Sequence, residues 1–111
     1  MKTVNKAQPG VSVMGGRCGT AMATRESLLS ALGEPTYTDR DEDAKVTVSW
    51  VFKTPRGNAE IRDYWWNAET EWSIAAPSRR AAMHLAKYLR TLGFPASSRF
   101  YDRRAVKAFN V

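Results

Sequence analysis

The chain has 111 residues, 43% of them hydrophobic, enough for one domain with a core and too many for a disordered polypeptide. A single cysteine, Cys18, excludes an internal disulfide, and no apolar run reaches the ~18 residues that a membrane span requires. The net charge of +6 is unevenly placed: residues 1–78 carry nine basic and ten acidic side chains, residues 79–111 eight basic ones against Asp102 alone.

That asymmetry points to an acidic partner, either nucleic acid or an acidic protein face. The lone cysteine fits a reducing, cytoplasmic setting, and the N-terminus lacks the continuous apolar segment of a signal peptide. Residues 1–23 are rich in glycine and small side chains, which predicts a flexible leader. Within it, Gly15-Gly16-Arg17-Cys18-Gly19-Thr20 has the look of a phosphate loop but lacks the Gly-Lys-Ser/Thr ending and a preceding strand.

A short helix is predicted over 24–32. Thr24 can cap it, Glu26 suits the first turn, Leu28, Leu29 and Leu32 form its apolar edge, and Gly33 can stop it. Residues 36–44 alternate Asp39, Asp41 and Asp43 as a calcium loop would. The glycine and glutamate such a loop needs at its sixth and twelfth positions are Ala44 and Val51 here, so a solvated connection is expected instead.

The most regular alternation in the chain follows. Over 45–53, Val46, Val48, Trp50 and Phe52 share one face of a strand. Thr54-Pro55-Arg56-Gly57 is a turn. In the next strand, 58–66, Ala59, Ile61 and Trp65 point inward and Glu60, Arg62, Tyr64 and Trp66 outward, while Asp63 on the inward side implies a bulge or a partner at the sheet end. A third strand over 71–75 turns Trp72 and Ile74 inward. A helix over 78–92 then presents Ala81, Ala82, Leu85, Tyr88, Leu89 and Leu92 as an apolar stripe and ends at Gly93-Phe94-Pro95. The expected fold is α+β and two-layered: helix, three-stranded antiparallel meander, helix, spanning 24–94, with the leader before it and a basic-aromatic tail over 95–111.

No catalytic constellation emerges. His84 is the only histidine, Cys18 has no recognisable base, and Glu60 and Asp63 lie three apart on a strand and so face opposite ways. No metal or cofactor is expected. Two binding surfaces stand out. The outer hairpin face offers Arg62, Tyr64 and Trp66, the composition of a protein-binding hot spot. The polar side of the last helix carries Arg79, Arg80, Met83, His84, Lys87 and Arg90. The tail adds Arg99, Arg103, Arg104 and Lys107 among aromatics that can stack on bases. Arg79 and Arg80 sit in the first helical turn, where the dipole disfavours cations, so helix stability alone does not place them there.

The stretches Thr54-Pro55-Arg56-Gly57, Asp63-Tyr64-Trp65-Trp66 and Glu71-Trp72-Ser73-Ile74, set between the two helices, resemble small uncharacterised proteins of tailed bacteriophages over about residues 24–94. The resemblance implies a phage accessory product acting inside a bacterial cell, of a kind that binds and diverts a host protein or defence complex. It transfers no activity and gives no residue a role. The expectation is therefore a non-enzymatic cytoplasmic protein that binds a host protein or nucleoprotein complex, as a host-takeover or anti-defence inhibitor. The alternative is direct nucleic-acid binding through the basic helix and tail.

Overall fold

A computed structural model describes residues 4–6, 16–38, 46–64 and 70–98. In chain order these form β1 (Asn5–Lys6), β2 (Gly16–Met22), α1 (Arg25–Leu32), β3 (Tyr37–Thr38), β4 (Val46–Thr54), β5 (Gly57–Tyr64), β6 (Glu71–Ala76), α2 (Arg79–Thr91) and β7 (Ala96–Ser97). The strands join one antiparallel sheet in the order β1-β4-β5-β6-β2-β7, with β3 also pairing β4.

The three-stranded meander flanked by helices is thereby corrected. β4, β5 and β6 do form a meander, but it is the middle of a seven-stranded sheet. The segment expected to be a leader supplies β1 and β2, and β7 follows α2. The reason lies in what β2 is made of. Gly-Arg-Cys-Gly-Thr-Ala-Met has no bulky alternation, and its glycine has a steric purpose: a Cβ on Gly19 would lie 2.2 Å from the Ser97 carbonyl oxygen. β7 can run beside β2 only because that side chain is missing. Cys18 falls where the register of β2 against β6 shifts, as at a bulge. β1, β3 and β7 span two residues each, too few to show any period.

Both helices cover one face of the sheet. Leu28 and Leu32 of α1 and Ala81, Ala82, Leu85, Ala86 and Leu89 of α2 join Val48, Trp50, Phe52, Ala59, Ile61, Trp72 and Ile74 in a single buried cluster. Leu29 and Leu92, expected in the apolar stripes, are exposed. Trp50 and Trp72 meet edge to face at 5.6 Å. Each indole also secures one end of α1: Trp72 Nε1 donates to the Ala23 carbonyl at 3.0 Å, and Trp50 Nε1 to the Gly33 carbonyl at 3.1 Å. Lys6 Nζ adds bonds to the Leu32 and Glu34 carbonyls, so β1 is tied to the same C-terminus.

The local signals at the turns act as expected. Thr24 Oγ1 accepts from the Ser27 amide, and Ser78 Oγ from the Ala81 amide. α2 ends in a Schellman pattern, with Gly93 at φ 95° and the Phe94 amide donating to the Leu89 carbonyl. Pro55 and Arg56 form the tip of the β4–β5 hairpin, where Thr54 Oγ1 accepts from the Arg56 amide and donates to the Gly57 carbonyl.

The opposite face of the sheet has a different chemistry. Tyr37, Ser49, Arg62, Ser73, Thr20 and Ser97 stand opposite one another in successive strands, a polar row from β3 to β7. Glu60 lies in the next row, between Val51 and Ala75, and all three are fully buried. The hydroxyls of Thr20 and Ser49 are buried without a hydrogen-bond partner. The outward strip of the hairpin, a candidate binding surface if uncovered, is closed to solvent at Glu60 and largely so at Arg62.

Candidate nucleic-acid interface

α2 is built to hold its polar side outward. Alanines and leucines recurring at helical spacing bury one flank, and Tyr88 leans on Phe52 with ring centroids 5.7 Å apart. The remaining arc carries Arg79, Arg80, Met83, His84, Lys87 and Arg90. All of these are exposed except His84, which is half-buried. No acidic residue occurs anywhere in α2.

Among the described residues, Arg79, Arg80, His84 and Lys87 make no side-chain hydrogen bond or ion pair. Arg90 is different: its guanidinium donates to the Ala96 carbonyl at 2.8 Å, fastening β7 to the helix while its charge stays at the surface. The first turn of α2 holds Arg79 and Arg80 beside free backbone amides, with only Ser78 to cap them. Two like charges next to a positive dipole end cost the helix about 0.3–1 kcal/mol each. An anion placed there would remove that cost and gain hydrogen bonds.

The second expected surface divides. Arg62 is 15% exposed in its side chain and donates Nε–H to the fully buried Glu60 carboxylate at 2.5 Å. Burial this deep makes the pair a link between the polar row and the row beside it rather than a solvent-facing contact surface. Tyr64 closes β5, its backbone opposite Val46. Trp66 lies outside the described residues, as do Arg99, Arg103, Arg104 and Lys107 and the Asp39–Asp41–Asp43 alternation.

Sequence reasoning missed the buried hydroxyls of Ser49 and Ser73 that flank Arg62, and that of Thr20 one strand beyond Ser73. The available signal was Glu60 and Arg62 two apart on a strand, an acid and a base on one face with serines at matching places in both neighbouring strands. Among the described residues no group of histidine, cysteine, aspartate or glutamate is arranged to hold a metal ion, and no helix is long and apolar enough to cross a membrane. No family model, curated protein or solved structure matches this chain, so the likeness to phage proteins rests on the quoted motifs alone.

Proposed function

We propose that the protein acts by binding and that its partner is a polyanion, the phosphate backbone of nucleic acid, free or within a nucleoprotein complex. The observation that carries this reading is the exposed arc of α2. It offers Arg79, Arg80 and Lys87 with no partner among the described residues, Arg90 beside them and no acid on the helix. Cations in the first turn, set against the helix dipole as Arg79 and Arg80 are, are poor choices for stability and good ones for gripping phosphate. The concentration of positive charge after residue 78 supports the same partner.

The test is the salt dependence of binding, followed by fluorescence anisotropy with labelled oligonucleotides. With three to four phosphates neutralised, the slope of log K against log salt is about −3, so affinity falls roughly 60-fold between ~50 and ~200 mM salt. Arg79→Glu/Arg80→Glu/Lys87→Glu removes binding while leaving the thermal transition within a few degrees of the parent. An absence of binding at ~50 mM salt overturns the reading. Salt-sensitive capture of an acidic protein without any binding to nucleic acid assigns the arc to that partner instead.

A further inference from the structure

Resting on the nucleic-acid reading, we infer that α2 spans a groove of double-stranded, B-form DNA. Arg79 and Arg80 hold one phosphate backbone, and Lys87 and Arg90 the other. The cations on the arc are not evenly spread. They fall in two groups along the helix, separated by the exposed Met83 and the half-buried His84. At 1.5 Å per residue the groups are separated by about 10 Å between Arg80 and Lys87 and about 16 Å between Arg79 and Arg90. That interval brackets the ~12 Å width of the B-DNA major groove. Phosphates along one backbone of a duplex come much closer together, about 3.4 Å apart along the axis, and would be met by a continuous line of cations.

The arc also lacks what an unpaired strand requires. Binding of single-stranded nucleic acid draws on aromatic side chains for base stacking. No phenylalanine, tyrosine or tryptophan occurs among the exposed residues of α2; Tyr88 is committed to Phe52, and the imidazole of His84 is half-buried. Met83, half exposed at the middle of the arc, faces the groove between the two backbones. A long, flexible apolar side chain there tolerates many base edges, so the contact is with shape and phosphate more than with sequence.

The experiment uses the full chain with a ~20-bp DNA duplex, either of its single strands and the matching RNA duplex, lengths chosen to cover about two helical turns. The DNA duplex binds at least tenfold more tightly than either single strand or the RNA duplex. Phosphate-ethylation interference marks phosphates on both strands, facing each other across one groove. Arg79→Ala/Arg80→Ala lowers the salt slope by about two and erases interference on one strand, and Lys87→Ala lowers it by about one and weakens interference on the other. Interference confined to one strand, or single-stranded DNA or duplex RNA binding as tightly as duplex DNA, overturns the groove-spanning inference and leaves the nucleic-acid reading intact. No binding to any of the four probes overturns both.

Discussion

Asp63 joins a strand to a helix, through one backbone amide and one guanidinium. Its Oδ1 accepts from the Val48 amide at 2.7 Å, where the register of β4 against β5 shifts, and its Oδ2 accepts from Arg25 at 2.6 Å, at the start of α1. The sequence posed this residue as a contradiction, a carboxylate on an inward-facing strand position. The resolution is that both expected remedies apply, an irregular register and a partner. The two bonds differ in worth. Arg25 is 54% exposed, so the ion pair contributes ~0–1 kcal/mol, whereas an amide deprived of its acceptor costs about 1–3 kcal/mol. Asp63→Asn, which keeps an acceptor for Val48, is therefore expected to lower stability by under ~1 kcal/mol, and Asp63→Ala by about 2 kcal/mol. Urea unfolding of the two variants checks the order; equal losses would assign the role to the charge.

At the scale of elements, α1 is the instructive case. Eight residues are too few to hold a helix in water, so its existence depends on what fastens it. The indoles of Trp50 and Trp72 supply this from inside the sheet, one at each end. The bond from Trp72 is buried while that from Trp50 is partly open, so their loss is unequal. Trp72→Phe is expected to cost roughly 2–4 kcal/mol and Trp50→Phe roughly 1–2 kcal/mol, with loss of helical circular dichroism leading the global transition only in the former. A helix signal that survives Trp72→Phe unchanged to the global transition would show that α1 does not depend on this bond. The alternation of β4 and β6 told in advance that both tryptophans face inward. It did not tell that they reach the helix termini, because that depends on the path of a connection with no period of its own.

For the molecule as a whole, the elements with strong periodicity were legible: α2, the β4–β5 hairpin and the apolar face of β6. The sheet's width was not, because its flanking strands are defined by their neighbours. β2 is the clearest example, since glycine reads locally as freedom and serves here as clearance. Gly19→Ala is expected to push β7 off β2 and to cost roughly 2 kcal/mol or more at an unchanged denaturant slope, with faster amide exchange along β7. Stability equal to the parent would place β7 elsewhere. The basic arc of α2 was also legible, because charge on an amphipathic helix follows the same period as its core. For the hairpin's outer strip the sequence left cover and exposure nearly balanced, since alternation says which side a residue faces and nothing about whether that side meets water. Arg62 shows the difference.

The position of β2 between β6 and β7 has a consequence for synthesis. It leaves the ribosome before α1, β3, β4 and β5, and both of its neighbours leave after them. The β4–β5 hairpin can assemble as it emerges, but β2 waits without a partner until β6 follows, and its other edge stays open until Ala96–Ser97 arrive. During that interval the unpaired β2 is the surface on which a chaperone, or a neighbouring nascent copy, would act.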